Sequence, residues 1–177
     1  MLVPHCYGVV DRGIHRSAEP QPQHFPFLQS LRLRTCVMLM PDPSPEYVEW
    51  LTSHNIRIVT PHEAHNSEDI TAGPTDGSKG LVRPFSSLDG LSQQSVTNIL
   101  GLLIRAEHHP VLVTCPTGRY RTGVVAGCLR KVQRWSLVIV LEEYRRFADN
   151  GGGSGDRGRR VADEEFIETF DTELLEL

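Results

Sequence analysis

The chain has 177 residues, 39% hydrophobic and 23% charged, with a formal net charge of −4. That length can bury an ordinary core, and the mild acidity argues against broad nucleic-acid binding. No apolar run is long enough for a bilayer and the N-terminus lacks a signal-peptide pattern, so no membrane association is expected and the predicted setting is cytoplasmic or nuclear.

In chain order, Cys6 to Val10 followed by Gly13 to Arg16 predicts a hairpin or a pair of edge strands, and Phe25 to Leu31 predicts a helix. The apolar run Thr35 to Leu39 suits a buried strand. Pro45 to Ser53 reads as an amphipathic helix with Tyr47, Val48 and Leu51 inward, and Ile56 to Val59 as another buried strand. Pro61 to Asp89 has no periodicity and several Gly–Pro and Asp–Gly turn signals, so it is expected to be a long loop. Leu91 to His108 predicts a helix, Val111 to Thr114 a buried strand, and Thr122 to Gln133 and Ser136 to Phe147 two more helices. Asn150 to Arg160 is Gly-rich and basic and reads as a loop; Asp163 to Phe170 closes the chain as a helix.

Strands alternating with helices predict an α/β fold, with a central, mostly parallel sheet flanked by helices in a single domain spanning residues 1–177. Ligands in such sheets bind beyond the carboxyl ends of the strands. Thr114-Cys115 stands at such an end.

Of the four cysteines, Cys36 and Cys128 sit in apolar segments and read as core, while Cys6 carries no signal. Without C-x-x-C spacing or close pairing, neither a disulfide framework nor a zinc site is expected. Cys115 is different. It opens Cys115-Pro116-Thr117-Gly118-Arg119-Tyr120-Arg121, which runs from the predicted strand into Thr122, Gly123 and the next helix. Such a turn aims backbone N–H groups inward, and the helix N-terminus adds partial positive charge, a setting for a phosphate dianion. The same field favours the thiolate of Cys115, which can attack phosphorus in line. Arg121 can grip two equatorial oxygens, and Thr122 can donate to the departing thiolate. Gly118 permits the tight turn, and Gly123 is expected to let the helix approach the sheet. Pro116, Thr117, Gly118, Arg119 and Tyr120 are the expected substrate-binding positions. Two further readings stay open: a phosphate-binding module without turnover, and a sulfur carrier using the same cysteine.

The chain resembles the plant and fungal atypical dual-specificity phosphatases, a branch of the protein-tyrosine-phosphatase superfamily that includes inositol pyrophosphate phosphatases. The segments that carry the resemblance are Val10 to Ser17 with Pro20, Phe25 to Leu28 with Leu31, Pro45-Glu46, Asn55-Ile56, the loop itself, Gly127 to Trp135, Glu142 to Ala148 and Phe166 to Glu168. It implies the compact phosphatase fold, hydrolysis without metal or other cofactor, and a phosphorylated small molecule (an inositol pyrophosphate) or a phosphoprotein as substrate. It also implies the roles given above to Cys115, Arg121 and Thr122. In the non-catalytic reading, the chain would instead partner related phosphatase-like proteins in a complex. The family usually carries His before the nucleophile, where this chain has Thr114, and more basic residues where Pro116, Thr117 and Tyr120 stand.

A general acid for the leaving group would come from Glu63, Asp69, Asp76 or Asp89 in the long loop. Asp89 precedes the Leu91 helix and reads as a helix-start residue in preference to an acid. A weak or missing acid favours phosphoanhydrides, whose leaving groups need little protonation. His62 and His65 read as solvated loop residues, and Lys131 as a solvated helix face. Arg157, Arg159 and Arg160 divide evenly between a solvated loop and a cation supply for a polyphosphorylated substrate.

Overall fold

The computed structural model describes residues 1–61, 91–149 and 157–175. The strands are β1 (Gly8–Asp11), β2 (Ile14–Ala18), β3 (Thr35–Met38), β4 (Arg57–Val59) and β5 (Val111–Cys115). The helices are α1 (Phe25–Ser30), α2 (Pro45–Ser53), α3 (Gln93–Leu103), α4 (Tyr120–Val132), α5 (Leu137–Ala148) and α6 (Arg157–Thr169). The strands form one sheet in the order β1-β2-β5-β3-β4; β1 and β2 are an antiparallel hairpin and the other neighbours are parallel. The expected α/β architecture with a mostly parallel sheet is what the chain adopts.

Alternation along the strands divides the core between two faces. Val37, Leu39, Val111, Val113 and Cys115 pack with α3, α4, α5 and α6. Cys36, Met38 and Leu112 point the other way, onto α1 and α2, where Leu28, Tyr47 and Leu51 meet them. Cys36 and Cys128 are fully buried core residues, as expected. β5 is the central strand, buried at all five positions, with Ala18 opposite Cys115 and Met38 opposite Thr114. The carboxyl ends of β2, β3 and β5 therefore meet at one edge, and α4 leaves from it. From Tyr120 to Arg130 every residue of α4 is buried, because α3, α5 and α6 surround it.

Four expectations change. The helix expected from Leu91 to His108 begins at Gln93, with Ser92 Oγ accepting the Ser95 amide at 3.0 Å, and stops at Leu103. It stops because Arg105 turns extended and the His109 ring bonds the Leu103 carbonyl at 2.7 Å; a separate 3-10 turn then covers Ala106–His108. The helix-start role weighed for Asp89 thus belongs to Ser92. The last helix begins at Arg157, so Arg157, Arg159 and Arg160 lie on α6, not in a loop. A glycine-rich run hid that start, although arginine is a good helix former. Lys131 does not face solvent freely. Its Nζ donates to the carbonyls of Glu168 at 2.7 Å and Phe170 at 2.9 Å, tying α4 to the end of α6. Finally, Gly123 makes room for α5, not the sheet: a Cβ there would lie 2.8 Å from the Tyr144 ring. Glu63, Asp69, Asp76, Asp89, His62 and His65 lie outside the described residues.

Candidate active site

Cys115 ends β5 and α4 begins at Tyr120, so only Pro116 to Arg119 make the turn. Pro116 and Thr117 are exposed at its tip, Gly118 is buried and Arg119 half-buried. The Gly118 amide donates to the Cys115 carbonyl at 3.2 Å, closing the loop on itself. Gly118 has φ +69°, and a Cβ there would lie 2.3 Å from the Ala18 amide nitrogen. Only glycine suits both the left-handed backbone and that approach. The walls come from neighbouring strands. The Glu19 amide donates to the Cys115 carbonyl at 3.0 Å, and the Leu39 amide to the Thr114 carbonyl at 2.7 Å.

Arg119 occupies the position before α4 and does not cap the helix; its Nη2 lies 3.4 Å from His5 Nε2. Tyr120 is turned into the core, with the Arg159 guanidinium 4.8 Å over its ring. Arg121 is buried and donates from Nη1 to the Leu39 carbonyl at 3.1 Å. Thr122 is buried too, and its Oγ1 has no hydrogen-bond partner. Thr114 faces away from the loop: its Oγ1 lies 3.9 Å from Cys36 Sγ and 3.5 Å from the Val37 carbonyl.

Three further residues contribute; Arg159 was already a candidate cation in the sequence, while Arg16 and Asp163 carried no motif. Arg16 on β2 is buried behind the loop, donating from Nη2 to the Gly118 carbonyl at 2.9 Å and the Arg119 carbonyl at 3.3 Å. The signal that pointed to it was its place in the matched segment Val10 to Ser17. Asp163 and Arg159 come from α6. The Tyr144 hydroxyl donates to Asp163 Oδ2 at 2.7 Å.

The charges act on one another across this cluster. Burial lowers the Arg121 guanidinium below its ordinary value, and the like charge of Arg159 adds to that, while Cys115 and Asp163 oppose it. Burial raises the Asp163 carboxyl, against the Tyr144 hydrogen bond and the charges of Arg159 and Arg121. Chemically, the edge offers a thiol at a strand end, a helix N-terminus without a side-chain cap, and several guanidinium groups. Such a set suits a multiply charged phosphate. Among the described residues no cluster of three or more His, Cys, Asp or Glu could hold a metal, and no helix is long and apolar enough to cross a membrane.

Comparison with known proteins agrees with this geometry. The model of the tyrosine phosphatase family matches residues 1–176. OCA1 of Mycosarcoma maydis is 37% identical over 99% of this chain and 97% of its own length. Inositol diphosphatase DSP1 of Oryza sativa is 37% identical over 99% of this chain and 68% of its own. Among solved structures, the core catalytic domain of the PP-IP phosphatase SIW14 from S. cerevisiae, in complex with citrate, superposes with a TM-score of 0.72 at 28% identity. That match covers 97% of this chain and 88% of that one.

Proposed function

The chain belongs to the tyrosine phosphatase family and is a cysteine-based phosphatase; from that premise we propose that Cys115 is its nucleophile, Arg121 its phosphate clamp and an inositol pyrophosphate its preferred substrate. The Cys115 thiolate attacks the terminal phosphorus in line. The S–P bond forms as the P–O bond to the leaving phosphate breaks. Arg121 and the amides of the loop hold the equatorial oxygens as their charge redistributes. Water then attacks the phosphocysteine, releasing inorganic phosphate and restoring the thiolate, to which Thr122 Oγ1 donates. That hydroxyl, buried without a protein partner, supports this role.

One observation carries the reading: a thiol at a buried strand end, with the uncapped start of α4 and Arg121 just beyond it. The substrate class rests on charge. Arg159 stands on α6 beside the clamp and repels it, an arrangement that a second phosphate would relieve. The names of inositol diphosphatase DSP1 and PP-IP phosphatase SIW14 point the same way. A phosphoanhydride leaves as a weak base, so the reaction asks little of a general acid.

The test is turnover of an aryl phosphate, a phosphotyrosine peptide and an inositol pyrophosphate by wild type, Cys115→Ser and Arg159→Gln. Cys115→Ser is expected to be inactive on all three, and Arg159→Gln to raise KM for the inositol pyrophosphate alone. Equal turnover of phosphotyrosine and pyrophosphate would sink the substrate assignment. Ligand binding without turnover by wild type would favour the non-catalytic reading.

A further inference from the structure

Arg16 has unusual surroundings for a buried cation. It is 1% exposed, yet it takes no part in any ion pair of the described residues, which join Arg130, Arg145, Arg160 and His108 to carboxylates. What it has instead is the pair of carbonyl contacts to Gly118 and Arg119, and the face of the Phe147 ring 3.8 Å from its guanidinium carbon. Its Nε and Nη1 are buried with no acceptor at all. A charge held this way is costly unless an anion lies near. Burial lowers it to about 10, and the charge that most opposes this is that of Cys115, ahead of Glu143 and Cys6. The topology explains why: β2 and β5 are paired in parallel, with Arg16 opposite Val113 and Ala18 opposite Cys115.

The two carbonyl contacts also set the loop. In a trans peptide the N–H points opposite to its C=O. Drawing the Gly118 and Arg119 carbonyls toward Arg16 therefore turns the amides of Arg119 and Tyr120 to the other side of the loop.

We propose that Arg16 is a positioning residue for the reaction: it orients the amides of the phosphate loop and serves as the counter-cation of the Cys115 thiolate, in a loop whose only own cations are Arg119 and Arg121. This rests on the nucleophile assignment for Cys115.

The experiment is alkylation of Cys115 by iodoacetamide across a pH series without substrate, followed peptide by peptide by mass spectrometry. Peptide resolution separates Cys115 from Cys6, while burial raises Cys36 to about 11 and Cys128 to about 12 and keeps both silent. Arg16→Met is expected to move the midpoint for Cys115 upward by about one pH unit, roughly ten-fold slower alkylation below it. Arg16→Lys keeps the charge and loses the planar grip on two carbonyls. It is expected to alkylate like wild type while kcat/KM for an aryl phosphate falls about ten-fold. A wild-type midpoint in Arg16→Met overturns the counter-cation role. If Arg16→Met does not fold, Arg16→Lys decides: an upward-shifted midpoint overturns the counter-cation role, and unchanged kcat/KM overturns the positioning role. Because alkylation needs no turnover, these outcomes are separate from failure of the phosphatase assignment, which activity in Cys115→Ser would show.

Discussion

The two ends of α4 bury arginines to similar depth and treat them in opposite ways. At the C-terminal end, Arg130 donates to Glu143 at 2.9 Å, to the Gln133 side chain at 3.0 Å and to the Val10 carbonyl, with Trp135 packed 4.2 Å from its guanidinium carbon. Lys131 beside it holds two carbonyls of the α6 terminus. All of that polarity is consumed by the fold. At the N-terminal end Arg16 keeps two buried nitrogens without acceptors, Thr122 keeps its hydroxyl, and Arg121 faces the like charge of Arg159. Burial alone does not mark a functional cation: Arg121 and Arg130 are each 9% exposed. The difference is what the fold leaves over: Arg130 is bonded to a carboxylate, a side-chain amide and a carbonyl, whereas Arg16 and Thr122 keep buried polar atoms without a hydrogen-bond partner beside the loop. The first arrangement is structural; the second suits a site that receives a charged substrate.

Substitutions at the two ends should therefore separate activity from stability. The largest effect is expected for Arg121→Lys, a loss of about 10³-fold in kcat at nearly unchanged melting temperature, because only the two-oxygen grip is removed. Gly118→Ala comes next. The positive φ and the 2.3 Å approach to Ala18 are expected to cost about 2–4 kcal/mol in denaturant unfolding and to abolish turnover. At the other end, Glu143→Gln leaves Arg130 without its anion and should lower stability by about 1–2 kcal/mol. Glu143 also acts on Arg16, less than Cys115 does, so any shift in the pH profile of Cys115 alkylation should be smaller than in Arg16→Met; an equal shift would erase the contrast between the two ends.

Smaller effects come from Gly101 on α3 and Asp163 on α6. Gly101 on α3 faces open space, so Gly101→Ala should stabilise by about 0.5–1 kcal/mol with no change in turnover. Asp163→Asn is expected to remove a pH-dependent contribution to stability. The folded carboxyl is raised by burial, so the folded state binds the proton more tightly than the unfolded chain. Stability from this group is then present below the ordinary carboxylate value and is lost as pH rises through the raised one. Urea unfolding of wild type against Asp163→Asn should show wild type losing ground from acidic to neutral pH.

Much of this was legible in the sequence because periodicity and turn chemistry are local. The hairpin before Ala18, the buried run at Thr35, α2 from Pro45 to Ser53 and the strand-loop-helix around Cys115 all followed from spacing. Gly118 was legible too, since a tight turn between those elements calls for a positive φ. What escaped depends on distant packing. Arg16 sits in a short strand beside His15 and Ser17, where a cation reads as an outward-facing polar residue. Its burial follows from Phe147 and the loop, more than a hundred residues away. The glycines blurred the start of α6, so Arg159 read as one of three loop cations and Asp163 only as the first residue of the last helix. Their approach to Tyr120 and Tyr144 is a tertiary fact with no spacing to reveal it.

Acid-quenched mass spectrometry of the enzyme during turnover of an aryl phosphate shows whether Cys115 carries the phosphoryl group. A peptide containing Cys115 should be heavier by one phosphoryl group in wild type and unmodified in an inactive Cys115→Ser. Steady turnover with no adduct, retained in Cys115→Ser, would contradict it.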